Sequence, residues 1–117
     1  MERFEWLLVG LLGVGALGHL FGTFTGYAPG TEVFVWSLTA VFYVFAVIFL
    51  QALRIVRKND RWITIGATTA TAVWAVLALA FGGSVGNVWD PRAVMHAGVS
   101  AALLATTFLS SRPLLRL

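Results

Sequence analysis

The sequence contains no cysteine, which excludes disulfides, thiolate metal sites, iron–sulfur clusters and covalently attached haem, and gives no sign of redox compartment. Charge is nearly as scarce: 11% of the 117 residues are charged, against about 25% in an ordinary soluble domain. Internal repeats, low-complexity tracts, phosphate-binding loops and nucleophile motifs are also absent. What fills the chain is apolar, with 59% hydrophobic residues. One membrane span needs about 20 residues, so there is length for several spans and none for a separate soluble domain. The net charge of +3 is not a nucleic-acid signature. The basic residues gather at the ends of apolar runs, where they control topology, so no nucleic-acid partner is expected.

Four apolar segments stand out, at about residues 4–24, 31–53, 62–82 and 91–111. Each is long enough to cross a bilayer as a helix at about 1.5 Å per residue. Only helices satisfy every backbone amide within so short a segment. The connections are punctuated by turn residues. Gly26, Pro29 and Gly30 precede Thr31, a natural N-cap, and three glycines precede Asp90, an N-cap followed by Pro91 at the first helical position. The small-x-small run before Pro29 is only a weak cleavage pattern, and the first segment reads as a span rather than a signal peptide. Short loops make consecutive helices antiparallel neighbours. The expected fold is an all-α integral membrane protein, a single up-down-up-down bundle of four transmembrane helices, with the first and fourth adjacent.

Arg3, Arg54, Arg57, Lys58, Arg61, Arg112 and Arg116 fall on one side of that topology, and only Arg92 falls on the other. This asymmetry places both termini and the middle connection in the cytoplasm. The expected location is a bacterial or archaeal inner or plasma membrane. Trp6, Trp62 and Trp89 lie near segment ends as interfacial anchors, whereas Trp74 is mid-span.

Helical spacing puts Leu8, Leu12, Gly15, Gly22 and Thr23 on the face of His19. In the second segment Glu32, Trp36, Thr39 and Tyr43 form the expected inward stripe, with Phe34, Val41, Phe45 and Ile48 turned to lipid. Thr64, Thr68, Thr71, Ala75, Ala78 and Gly82 align on the third segment, and Arg92, His96, Ser100, Leu103 and Thr107 on the fourth. Small residues and hydroxyls on such faces let membrane helices pack closely. Gly18, Gly22 and Gly26, spaced by four, form a close-packing pattern of this kind, read as an internal contact.

The two histidines need more than packing. His19 lies about five residues before the outer end of the first helix and His96 about five after the outer start of the fourth, so each sits roughly 7–8 Å inside the outer boundary. Equal depth on neighbouring inward faces predicts one shared site, and ionisable residues inside spans are functional candidates. Four readings follow. The imidazoles lock helices together through hydrogen bonds. They are axial ligands of a haem b, with Gly15 and Gly22 making room for the ring, Trp36 packing on it and Arg92 pairing a propionate. They bind a metal or relay protons, with Glu32 or Asp90 as a third group. Or one is the base of a membrane-embedded enzyme acting on a lipophilic substrate.

Four helices in so short a chain is similar in size to the small multidrug-resistance exporters. The membrane-embedded glutamate of their first helix has no counterpart among the central glycines, leucines and valines of this one. The functional expectation is therefore a small non-catalytic membrane subunit, packed with other membrane subunits or with copies of itself in the lipid bilayer, with haem b or another ligand at His19 and His96 for electron transfer. The alternative is a stand-alone small transporter or membrane enzyme using the same pair.

Overall fold

A computed structural model describes residues 1–115, with side chains through residue 111. Arg116 and the side chain of Arg112 lie outside the described residues. The chain is all-helical: α1 spans Glu2–Gly26, α2 Glu32–Val56, α3 Arg61–Ser84 and α4 Pro91–Leu115. All four helices are long and apolar enough to cross a membrane, with mean hydropathy of 1.8, 2.5, 1.8 and 1.5 over their best windows. They mark the chain as an integral membrane protein.

The starts of α2, α3 and α4 are fixed by side chains that take up orphan backbone N–H groups. Thr31 Oγ1 accepts from Phe34 N at 3.3 Å. Asp60 Oδ1 accepts from Trp62 N and Ile63 N at 3.1 and 3.0 Å. Asp90 Oδ1 accepts from Arg92 N at 2.9 Å. Gly30 (φ 82°) and Gly86 (φ 70°) occupy left-handed turns in the connections before α2 and α4, a conformation glycine adopts without steric cost.

The helices lie side by side in a bundle of 47 × 25 × 25 Å. Each packs against two others: α1 on α2 and α4, and α3 on α2 and α4. The core is a column of Leu8, Leu12, Val44, Val47, Ile55 and Leu103, closed on one side by Trp74. Threonines are tolerated inside because they donate to their own helix. Thr71 Oγ1 reaches Ala67 O and Thr107 Oγ1 reaches Leu103 O, both at 2.7 Å.

Two expectations about faces are corrected. On α2 the buried face is Phe34, Val41, Val44, Val47, Gln51 and Ile55, while Trp36 is 67% exposed and Thr39 is exposed. Interhelical contact in lipid favours shape and close approach over polarity, so the compact valines face inward and the bulky Trp36 faces out. On α1, Gly18, Gly22 and Gly26 make no internal close contact, since a Cβ on any of them would meet nothing within 4 Å. Gly15 is the glycine that packs. A Cβ there would lie 2.8 Å from His96 Cε1 and closer still to the end of Met95.

One feature invisible to face counting is a buried polar knot joining all four helices. Arg54 Nη2 donates to Glu5 Oε1 at 2.9 Å, and both side chains are only 4% exposed. Arg54 Nε donates to Gln51 Oε1 at 2.8 Å, and Nη1 to Ser110 Oγ at 3.3 Å. Gln51 Nε2 in turn donates to Thr71 Oγ1 at 2.8 Å. Glu5 is fourteen residues before His19 on α1, so the knot lies roughly 21 Å along the helix from the histidines. Lys58 pairs with Glu2 on the exposed rim of the same end.

Candidate functional site

The histidines converge from helices that pack against each other. His19 sits near the end of α1 and His96 near the start of α4, and both rings border the same two adjoining cavities. The first cavity, about 290 Å³, is the more polar of the two, with Gly15, Gly22, Thr23, Ser37 and Arg92 on its walls. The second, about 500 Å³, is walled chiefly by Trp36, Tyr43, Trp74, Leu77, Ala78 and Phe81. All six residues singled out from the sequence (His19, His96, Gly15, Gly22, Trp36 and Arg92) border one or both cavities. Glu32 does not, and Asp90 enters only by holding Arg92.

His96 is 5% exposed and is locked by Trp74. The indole Nε1 donates to His96 Nδ1 at 3.3 Å, with the two rings edge to face at 5.4 Å. Tyr43 stacks on Trp74 at 6.0 Å and donates its hydroxyl to Ala70 O at 3.1 Å. Indole N–H can only donate, so His96 Nδ1 carries the lone pair and the ring proton is on Nε2.

His19 is held by a chain of hydroxyls. Thr23 Oγ1 spends its only proton on His19 O at 2.9 Å. Ser37 must therefore donate across the 2.7 Å Thr23–Ser37 contact. With its own proton spent, Ser37 Oγ accepts from His19 Nε2 at 3.3 Å. The ring proton of His19 is thus on Nε2, and a neutral ring presents a lone pair at Nδ1. A charged imidazole at this depth would be costly.

Arg92 is not a free cation. Its Nε and Nη2 donate to Asp90 Oδ1 and Oδ2 at 2.9 and 2.8 Å. It also lies over the Phe81 ring, 5.0 Å from the centroid. The Arg92 hydrogen bond holds the Asp90 carboxyl at about 2, below its ordinary 3.8. No family model, curated protein or solved structure matches the chain.

These residues do not fit a haem iron or a metal ion. A histidine ligand offers a ring lone pair to the metal and usually donates its other N–H outward. Here the Nδ1 lone pair of His96 is taken by Trp74, and Nε2 carries a proton. Gly15 does not leave a slot for a macrocycle, because His96 and Met95 fill the space above it. Among the described residues no three metal-ligating side chains cluster. Ser37 and His19 form a hydroxyl–imidazole contact, but Ser37 donates away from the ring and no acid orients it. That is the wrong polarity for an activated nucleophile.

Face counting found the histidines but not their partners. Ser37 lies one residue past Trp36, off the chosen stripe, and Trp74 had no assigned partner. A tryptophan mid-span is itself a signal, because its N–H needs an acceptor when buried. His96, on the next helix, is the acceptor.

Proposed function

We propose that this protein is a small non-catalytic membrane component that binds an amphipathic molecule in the paired cavities. In this reading the helices cross up-down-up-down, with the termini and the Arg57–Arg61 connection in the cytoplasm and the histidine end toward the outer surface. The basic residues beside the Glu5–Arg54 end support that orientation. The observation that carries the binding reading is the pairing of a cavity carrying several polar groups with a more apolar, aromatic-walled one, both bordered by His19 and His96. Sites for small molecules are mostly apolar with a few convergent polar groups, and this pair of cavities has that make-up. A transport path is not supported, because Leu12, Val44, Val47 and Leu103 close the interior below the histidines. Exposed Val14, Phe21, Phe42, Phe49, Val76 and Phe108 are spread over all four helices, as suits a lipid environment.

The test is extraction into native polymer nanodiscs followed by mass spectrometry of co-isolated small molecules. An amphiphile enriched over bulk lipid is expected with the wild type and is lost in Ala80→Trp, which blocks the larger cavity from an exposed position. Absence of enrichment, or an unchanged profile in the variant, would overturn the reading.

A further inference from the structure

Both ring nitrogens of His96 are used inside the bundle. Nδ1 accepts from Trp74, and the ring N–H is taken by the Gly15 carbonyl. His19 is held by Ser37. The imidazoles are braces between helices, so the ligand is specified by the walls and mouth of the cavities. The larger cavity opens sideways. Trp36 and Thr39 of α2 and Leu77 and Ala80 of α3 line it, and all four are exposed. Its mouth is therefore the seam between α2 and α3. Both helices are long and apolar enough to cross the bilayer, so the mouth meets lipid chains rather than water. Ser84 borders the cavity at the end of α3, and Trp74 borders it ten residues earlier, about 15 Å along the helix. That is half of a hydrocarbon layer about 30 Å thick, the depth of one leaflet. A lipid of that leaflet can slide in without turning over, head at the rim and chain toward Trp74.

The volume sets the number of chains. About 500 Å³ spread over that depth leaves a slot about 6 Å across. Packed carbons approach to about 4 Å, so one extended chain fits and two abreast do not. The rim sets the head. Arg92 borders both cavities with its side chain 66% exposed. Its Nε and Nη2 are held by Asp90, while Nη1 makes no hydrogen bond among the described residues. A phosphate oxygen is a strong acceptor for it. Because Asp90 already neutralises the guanidinium, a phosphate balanced by its own cation suits the rim better than a net anion. We propose that the ligand is a single-chain zwitterionic phospholipid that enters from the leaflet between α2 and α3, with its chain beside Trp74 and its phosphate at Arg92. This rests on the binding reading above and names its ligand and its route.

The experiment uses the full chain in lipid nanodiscs with Trp6→Phe, Trp36→Phe, Trp62→Phe and Trp89→Phe, all at exposed positions, so that Trp74 alone fluoresces. Lysophosphatidylcholine brominated in mid-chain is expected to quench Trp74 saturably, and the unbrominated lipid to reverse the quenching. A monoacylglycerol with the same brominated chain lacks the phosphate. It is expected to bind about two- to fivefold more weakly, the effect of one partly exposed charged contact, and Arg92→Gln to remove that difference. For the route, Trp36→Cys replaces Trp36→Phe and is joined by Ala80→Cys. These positions face each other across the mouth, each four residues from its helix end. Bridging them with a bismaleimide before loading should prevent quenching, and bridging after loading should trap it. Gly22→Cys and Met95→Cys, at matching depth across the seam between α1 and α4, should do neither when bridged. Equal binding of the two lipids, or a block by the α1–α4 bridge instead, would overturn the proposal and leave the cavity reading standing. Quenching that rises linearly without competition would overturn it as well, and the co-isolation experiment above then decides the cavity reading separately.

Discussion

Removing Glu5 should destabilise the bundle far more than its place in the first turns of α1 suggests. Glu5→Leu deletes the carboxylate that pairs Arg54 at 2.9 Å where both side chains are only 4% exposed. Arg54 keeps Gln51 and Ser110 as neutral acceptors but becomes a buried charge with no counter-ion. Breaking one side of such a pair typically costs about 3–5 kcal/mol, whereas replacing both sides with apolar residues is often close to neutral. Glu5→Leu/Arg54→Met should therefore be more stable than Glu5→Leu alone. Its remaining deficit is that of Gln51 Oε1 left without a donor, about 1–3 kcal/mol. The assay is reversible unfolding in mixed micelles titrated with SDS and followed by tryptophan fluorescence, for the two single variants and the double. Strong non-additivity is the expected signature. A Glu5→Leu cost below about 1 kcal/mol, or single costs that simply add, would refute the buried-pair argument.

Gly15→Ala should displace the His96 ring and cost about 1–3 kcal/mol in the same unfolding assay, because its Cβ would lie 2.8 Å from His96 Cε1. Gly18→Ala, with nothing within 4 Å, should instead be neutral or gain up to about 1 kcal/mol from helix propensity. Equal effects would contradict the packing described. Asp90, held at about 2 against an ordinary 3.8, stabilises the start of α4 above its unfolded value. That stability should fade as pH falls from about 3.8 toward 2, and Asp90→Asn should flatten the profile when thermal unfolding is measured across that window. The chain has no cysteine, so Asn59→Cys and Val88→Cys, both at exposed connection positions, report topology cleanly. A membrane-impermeant maleimide on intact cells should label Val88→Cys alone, and the reverse would invert the orientation.

Much of this was legible in the residues. Apolar runs bounded by Thr31, Asp90 and Pro91 give helices that start where those caps stand, because an N-cap is a local interaction. The histidine site was legible because depth along a helix is counted from residue number at a fixed rise. Rotation was less so. On α2 the polar-and-aromatic stripe around Trp36 looked inward, yet Val41, Val44 and Val47 face the core. Both faces are apolar enough for lipid, so hydrophobicity does not separate them. The Glu5–Arg54 knot stayed hidden for a related reason. Each residue sits near a helix end, where charge is ordinarily a topology signal, and pairing across 49 positions is a tertiary fact. The donor and acceptor senses of His19 and His96 also needed the three-dimensional partners Ser37 and Trp74.

The most direct test of the central claim is photolabelling of the nanodisc-embedded protein with an amphipathic aromatic diazirine probe, followed by peptide mapping. Labelling concentrated between Trp74 and Phe81 and near Trp36, competed by an excess of the same amphiphile without its diazirine and lost in Ala80→Trp, is predicted. Labelling spread without competition over the exposed Phe42, Phe49 and Val76 would show that the probe reads only the surrounding bilayer, and would contradict the site.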